Sequence, residues 1–325
     1  MKKVIFAALV LVAGLWSCSS DDNEGPDNVP DGFVKVEIGS ESKGLKSIII
    51  PGGGTSWDVI DEVKIIDADG APRTFTYGAS GTSPSAKFNG MLLANQGEKI
   101  YRAYHAPKKS KCTLESGHIL IVEREDLDIT EDGVNYNSAL FGSYCPMVAF
   151  PVKFDAQSKD PKLFSFSHLT NMIEARVTLR ETEEKEFLDK RFDRVVFELK
   201  ANGSKPFYTK IKFDMKLLQV GNNAEHLDDC IINKGDKSTN TDFMSTTMNM
   251  KERTIRELMN EYDIKGFPIP IFALPTDDPF DYTATIYFYL GETIQLKMEG
   301  SEHSTGLKPV GLNTLPFDHE EIVRE

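Results

Sequence analysis

The sequence predicts a mainly β protein with two antiparallel sandwich domains in tandem and one short inserted helix. Runs with apolar residues at every second position recur along the chain, and turn-forming residues separate them. Only one segment shows a clear helical period. The 325 residues are enough for two domains that each bury a core. We place the boundary in the polar break QSKDP, so that the predicted domains span residues 32–158 and 159–325.

The N-terminus has the features of an export leader. Lys2 and Lys3 precede a mostly apolar run that is too short to span a bilayer, and Leu-Trp-Ser then leads directly to Cys18. This arrangement resembles a bacterial lipobox. Residues 1–17 are therefore predicted to be a lipoprotein signal peptide, and the Cys18 thiol is predicted to carry acyl chains (palmitate and its relatives) that anchor the mature protein. An ordinary secretory signal with a chance cysteine is the alternative.

The first strand follows a polar segment. Residues 18–31 consist mainly of Ser, Asp, Asn, Glu, Gly and Pro, a composition typical of a disordered tether. In the next stretch, FVKVEIG, the apolar residues Val34, Val36 and Ile38 alternate with lysine and glutamate. This alternation predicts a half-buried strand.

Further strands are predicted in order along both domains. The first domain continues with VKIID, TFTY, KIYRAYHAP, HILIVE and MVAFPVKF. The second begins with KLFSFSHLTNMIEARVTLR, where the apolar phase reverses, so a bulge or bend is expected near Thr170 and Asn171. RVVFELKA and PFYTKIKFDM follow, and YTATIYFYL and TIQLKME are predicted to form a hairpin that turns through Gly291 and Glu292.

Helix is sparse in this sequence. The segment MKERTIRELMNEYD places Ile255, Leu258, Met259 and Tyr262 at helical spacing, which favours a short helix with a core-facing stripe. The segment ETEEKEFLDKRF is expected to form only a short helical turn.

Charge and motifs argue against nucleic-acid binding and catalysis. The formal net charge is −13 at pH 7, so nucleic acid is not an expected partner. The chain lacks the motifs HExxH, GxSxG, GxGxxG and the Walker loop, and its six histidines are scattered. The acidic stretches DLDITEDG and DDPFD do not match the spacing of an EF-hand calcium loop. We expect no enzyme activity, no cofactor and no metal site.

Three cysteines remain besides the one in the leader. Cys112, Cys145 and Cys230 are far apart, and the chain contains no CxxC motif. One disulfide with one free thiol and three buried free thiols are both compatible with this pattern.

Several sequence blocks together resemble the fimbrillin-type proteins of Bacteroidetes. The blocks are SWDVIDEVKIIDADG, YRAYHAP, LFSFSHLTNMIEARVTL and PIFALP, followed by the late hairpin YTATIYFYLGETIQL, and they cover most of the chain from Trp57 onward. The resemblance implies two tandem transthyretin-like β-sandwiches and an outer-membrane lipoprotein that assembles on the cell surface into type V pili. It also implies that a protease removes the first strand, and that a donor strand from the next subunit fills the groove.

The resemblance assigns candidate roles near both ends of the chain. The removable strand is FVKVEIG or LKSIIIP, and its inward residues would be Val34, Val36, Ile38, Ile48 and Ile50. A C-terminal stretch near VGLNTLPF is expected to supply or border the donor strand.

Processing is expected to differ from the family pattern. Stalk pilins of the family are cut after an arginine between the first strands, but the first arginine after Cys18 in this chain is Arg73. Lys43 and Lys46 therefore define the candidate processing region. Either another protease acts there, or the chain is an uncut anchor or accessory subunit that keeps its lipid.

Two functions from different classes follow. The leading hypothesis is a structural pilus subunit that joins other subunits by strand exchange and supports cell adhesion. The alternative is a surface lipoprotein of the same fold that binds a glycan or a host protein through its sandwich loops.

Overall fold

Most of the chain is described by the computed structural model, and strands dominate it. The described residues are 29–40, 48–50, 54–57, 61–78, 86–94, 97–107, 109–124, 126–129, 144–179, 185–234, 236–261, 267–276, 278–309, 312–317 and 322–323. Strands make up 58% of the structure and helices 7%, which confirms the predicted mainly β class. Among these residues, no helix is long and apolar enough to cross a membrane. The predicted leader, Cys18, Lys43 and Lys46 lie outside them.

The described segments form strands β1 to β22, helices α1 and α2, and two 3-10 turns. In chain order they are β1 Phe33–Ser40, β2 Ile48–Ile50, β3 Gly54–Ser56, β4 Glu62–Ile66, β5 Pro72–Tyr77, β6 Lys87–Leu93, β7 Lys99–His105, β8 Lys111–Ser116, β9 Ile119–Glu123, β10 Leu127–Ile129, β11 Met147–Ala149, β12 Val152–Phe154, β13 Leu163–Phe164, β14 Phe166–His168, β15 Asn171–Val177, α1 Lys185–Leu188, β16 Arg191–Ala201, β17 Lys210–Asp214, η1 Ala224–His226, η2 Asp228–Cys230, β18 Phe243–Thr254, α2 Ile255–Glu261, β19 Phe267–Ala273, β20 Phe280–Leu290, β21 Thr293–Ser304 and β22 Leu312–Phe317.

A nine-stranded sheet organises the first half of the chain. Its order is β13-β1-β6-β5-β4-β7-β11-β14, and β12 pairs with β7 beside this path. Its pairings are antiparallel except for that of β1 with β13. Strands β13 and β14 follow the predicted boundary at residue 158, yet they complete this sheet because the chain returns to pair with β1 and β11. Alternate side chains along the strands fill the first core, which includes Ile38, Val63, Phe75, Phe88, Tyr101 and Phe164.

The second half, together with β10 from the first half, forms a sandwich of two sheets. One sheet has the order β10-β18-β16-β20-β21, and the other has the order β19-β15-β22. Their facing residues share a second core; for example, the rings of Phe197 on β16 and Phe317 on β22 lie 6.4 Å apart and edge to face. Two sheets that each bury one face against the other satisfy the basic requirement of a β-sandwich.

A third hydrophobic cluster joins the two halves. The sheet β17-β9-β8 combines two strands from before the predicted boundary with one from after it. Leu120 and Val122 on β9 pack in one cluster with Phe213 on β17 and with Leu274. The two predicted domains therefore share a packed apolar contact.

Three local predictions can be compared with the structure. The bend near Thr170 is confirmed, because β14 ends at His168 in one sheet and β15 begins at Asn171 in another. The late hairpin is also confirmed, with Gly291 at a positive φ of 60° in its turn. The predicted helix is shorter than MKERTIRELMNEYD, because residues 250–254 belong to β18 and α2 begins at Ile255. Within α2, Ile255 and Leu258 are fully buried and Met259 packs against the same core, as the stripe predicts, whereas Tyr262 lies outside the described residues.

Candidate functional site

Strand β1 inserts alternate side chains into the first core. Val36 and Ile38 are 4% and 0% exposed, and Val34 packs against the same core from a half-buried position. Lys35 and Glu37 between them are exposed. The alternation predicted from FVKVEIG is confirmed, and it makes β1 one wall of the core rather than a strand laid over it.

The backbone of β1 is bound unequally on its two sides. On one side it pairs antiparallel with β6 over seven residues, from Phe33 opposite Leu93 to Gly39 opposite Lys87. On the other side it pairs in parallel with β13 at two residues, where the N–H of Gly39 donates to the Lys162 carbonyl over 2.8 Å. Strand β6 therefore holds β1 along its length, whereas β13 holds only its end.

A buried hydrogen bond fixes the end of β1. The Ser40 hydroxyl accepts the Trp57 Nε1–H at 2.7 Å and the Ala86 backbone N–H at 3.2 Å. Trp57 is fully buried, and its indole lies edge-on to the rings of Phe88 and Phe166 at 5.0 and 5.3 Å. A strand in the place of β1 must supply an acceptor here, because an unsatisfied buried N–H costs about 1–3 kcal/mol.

Gly39 is the second special position in β1. A Cβ at this position would lie 2.7 Å from Cδ2 of Leu163, which is closer than real contacts allow. The end of β1 thus favours a small residue followed by a hydroxyl-bearing one, although the half-exposed Leu163 side chain has room to shift for a larger residue. Sequence reasoning missed both positions, although Ser40 shares the inward phase of Val36 and Ile38 and could have been included on that ground.

An open groove runs beside β1 on its β13 side. It has a volume of about 850 Å³ and lies between β1 and the segment 156–163. Its lining includes Val34, Val36, Gly39 and Leu163. The far wall is tied together by the Lys162 ammonium group, which donates to the carbonyls of residues 158 and 160 at 2.6 and 3.1 Å. The groove places free space next to the weakly held side of β1.

The other candidate strand lies in a separate element. β2, which contains Ile48 and Ile50, pairs with β3 in a two-stranded sheet of its own. The described structure therefore does not bring these residues together with Val34, Val36 and Ile38 in one strand or sheet.

The C-terminal segment VGLNTLPF, predicted to supply or border the donor strand, contributes strand β22 to the second sandwich. β22 pairs in parallel with β15 over six residues, and its Leu315 and Phe317 are buried in the second core. In this structure it borders β15 and is not adjacent to β1.

His105, on β7, is packed as a core residue beside Trp57. His105 is 2% exposed, its Nδ1–H donates to the Glu62 carbonyl at 2.7 Å, and its ring lies 5.4 Å from that of Trp57. Burial lowers the pKa of His105, and the nearby Asp61 carboxylate opposes this effect only in part. The imidazole therefore stays neutral in the folded protein at a pH where a free histidine takes up a proton.

The three remaining cysteines are free thiols in the structure. Burial raises the pKa of Cys112 and Cys145 to about 12 and that of Cys230 to about 11. Such thiols are poor nucleophiles at neutral pH because almost none is ionised. Among the described residues, no group of three or more His, Cys, Asp or Glu is placed to hold a metal ion.

No protein-family model and no curated protein matches the chain. Among solved structures, a Bacteroides uniformis protein assigned to cell adhesion shares 15% identity and a TM-score of 0.46, covering 89% of this chain and 94% of that one. A Bacteroides ovatus protein with the same assignment shares 9% identity and a TM-score of 0.43, with coverage of 82% and 85%. A Parabacteroides distasonis fimbrial assembly protein shares 9% identity and a TM-score of 0.33, with coverage of 87% and 91%. All three TM-scores lie below 0.5, so support for a function has to come from this chain's own sequence and geometry.

Proposed function

We propose that the protein is a structural subunit of a type V, fimbrillin-type pilus that polymerises by donor-strand exchange and supports cell adhesion. The observation that carries this proposal is the placement of β1. It fills a slot in the first core with Val36 and Ile38, is bound along its length by one neighbour only, and lies beside an open groove.

Removal of β1 would create a binding site for another strand. Seven residues of β6 would lose the residues opposite them, and their backbone groups that point toward β1 would be left without partners. The core would lose two buried aliphatic side chains that each contribute about 1.5–3 kcal/mol. An extended segment from a second copy can satisfy both needs at once, since main-chain hydrogen bonds provide affinity and pockets for alternate side chains provide specificity. The end of the slot favours a donor with a small residue followed by serine or threonine.

Export and anchoring are part of the same proposal. The lipobox at Cys18 would deliver the precursor to the outer membrane, and the acidic tether would hold the folded part away from the lipid. Lys43 and Lys46 follow β1 directly in sequence, so a lysine-directed cut would release β1 together with the anchor. A chain that escapes this cut would remain as an anchor or accessory subunit.

The proposal is tested by mapping the N-terminus of the protein from the surface fibres of intact cells by mass spectrometry. A fibre-borne chain that begins between Ser40 and Ser56 supports a processed subunit, and one that begins at lipidated Cys18 supports an anchor or accessory subunit. Recovery of the protein only as a monomeric lipoprotein, with no copy in the fibre fraction, would overturn the proposal.

A further inference from the structure

A second cavity lies at the packed contact between the two halves of the chain. It has a volume of about 290 Å³, at the lower end of the range for small-molecule sites. Strands β8 and β9 supply one wall, and the segments before β11 and at the end of β19 supply the other. This position is separate from β1 and from the groove beside it.

The floor of the cavity is apolar and fixed by packing. Val122, Pro146, Phe272 and Leu274 line it, and all four are buried. Tyr144 lies at the side, with the Lys109 ammonium group 5.7 Å from its ring centre. Such a surface suits the flat or CH-rich face of a small ring.

The rim of the cavity carries a surplus of positive charge. Lys109, Lys111 and Arg124 line it together with the carboxylates of Glu123 and Asp126. Both carboxylates already have partners, and the partner of Asp126 is Arg124 on the same rim. Glu123 pairs with the ammonium group of Lys210 over 2.8 Å. Asp126 accepts hydrogen bonds from the Arg124 guanidinium and from the backbone N–H of residue 245. The protein has a net charge of −13, so the positive charge of this rim is opposite in sign to that of the protein as a whole.

Arg124 has unused hydrogen-bonding capacity in this site. Its side chain is only 7% exposed, and among the described residues its buried Nε–H has no hydrogen-bond partner. Burial also lowers the pKa of the guanidinium, which Asp126 offsets only in part. A buried guanidinium with an unfilled donor is costly. An anion in the cavity would relieve that cost once the Arg124 side chain shifts enough to expose its Nε–H, which is inaccessible in the structure.

We propose that this cavity binds a small ring-bearing carboxylate. Its carboxylate would pair with Arg124 and Lys111 at the rim, and its ring would rest on the floor next to Phe272. Two sources present this chemistry, a uronic acid of a glycan and a free aromatic acid. The proposal is independent of fibre assembly, because none of these residues belongs to β1 or its groove.

Titration of the full chain with glucuronate and with benzoate, followed by NMR or calorimetry, tests the proposal. Glucose is the matched neutral control for glucuronate, because it has the same ring without the carboxylate. Saturable binding of glucuronate supports a glycan source, binding of benzoate supports an aromatic acid, and binding of both supports the shared carboxylate site. No binding of either acid, or equal binding of glucose, would overturn the proposal.

Substitutions of the rim residues test whether the acid binds in this cavity. Arg124→Gln should weaken it about tenfold, the equivalent of one charge-assisted hydrogen bond. Since this variant also loses the Asp126 pair, Lys111→Gln on the exposed rim serves as the variant that leaves folding intact, and it should weaken binding severalfold. Lys212→Gln is the matched control, because Lys212 pairs with Glu115 over 3.0 Å and neither of these residues lines the cavity. Unchanged affinity in both Lys111→Gln and Arg124→Gln would contradict the assignment.

Discussion

The first and last strands of the described chain are held in opposite ways. β1 lies inside its sheet, between β6 and β13, and its inward side chains are part of the first core. β22 lies at the edge of its sheet and has β15 as its neighbour on one side. Loss of β22 would remove an edge strand together with its buried Leu315 and Phe317, whereas loss of β1 would open a slot between two strands, with exposed backbone along one wall and exposed core at its base.

This difference shows what makes a strand suitable for exchange. A sheet can lose an edge strand and keep its remaining pairings, but a missing inner strand leaves a site that only another strand fills well. The weak contact with β13, limited to Gly39 and Ser40, lets β1 depart without disruption of a second long ladder. The four predictions that follow probe this contrast, from the largest expected effect to the smallest.

Truncation of core side chains should distinguish the two strands most strongly. Ile38→Ala and Leu315→Ala should each lower the free energy of unfolding of the uncut chain by about 2–5 kcal/mol, with Ile38 nearer the upper end because it is fully buried. Denaturant titration measures both. In assembled fibres Ile38→Ala should have no effect, because β1 has left, while Leu315→Ala should keep its cost. A persistent Ile38→Ala effect in fibres would show that β1 stays in place.

Removal of the Ser40 hydroxyl should destabilise the end of β1. Ser40→Ala leaves the buried Trp57 Nε1–H without its acceptor, so the free energy of unfolding should fall by about 1–3 kcal/mol. Ser40→Thr retains the hydroxyl and is the matched control. Denaturant titration monitored by Trp57 fluorescence reports the change. Equal stability of wild type and Ser40→Ala would mean that this bond does not hold β1.

Acid should weaken the packing of His105 against Trp57, the residue that bonds the end of β1. Because burial lowers the pKa of His105, the unfolded chain takes up a proton below about pH 6.5 while the folded chain does not. The free energy of unfolding therefore keeps its full value above this pH. As the pH falls toward the folded-state pKa, protonation linked to His105 should lower the free energy of unfolding by about 1.4 kcal/mol per pH unit. Denaturant titrations across this interval measure the slope, and His105→Gln should flatten it. An unchanged slope in the variant would assign the acid sensitivity to other groups.

The outer face of β1 should tolerate change. Glu37 pairs with Lys87 over 2.8 Å, but both side chains are more than half exposed, so Glu37→Gln should alter the free energy of unfolding by less than about 1 kcal/mol. The same denaturant titration checks this. A larger loss would indicate that the outer face also holds β1 in the sheet.

Local sequence patterns predicted several elements correctly, but they did not predict the contacts between residues far apart in the chain. Period-two alternation identified β1 and the inward side of Val36 and Ile38, and a change of apolar phase identified the bend near Thr170. The return of β13 to β1 and the Ser40–Trp57 bond join residues far apart in sequence, which periodicity cannot pair. The basic cavity was missed for the same reason, since the strands that build it come from both predicted domains.

The central claim, that departure of β1 opens an acceptor for a second copy, is tested most directly by controlled cleavage. A specific protease site inserted between Gly44 and Leu45 of the full chain would cut directly after β1, and a site between Gly203 and Ser204 in an exposed turn is the control cut. We expect fibres in electron micrographs and sedimentation only after the first cut. Excess peptide of residues 33–40 should suppress them, and the same peptide with Ile38→Asp should not. A cut chain that stays monomeric would contradict the account, and so would fibres that form to the same extent in the presence of the excess peptide.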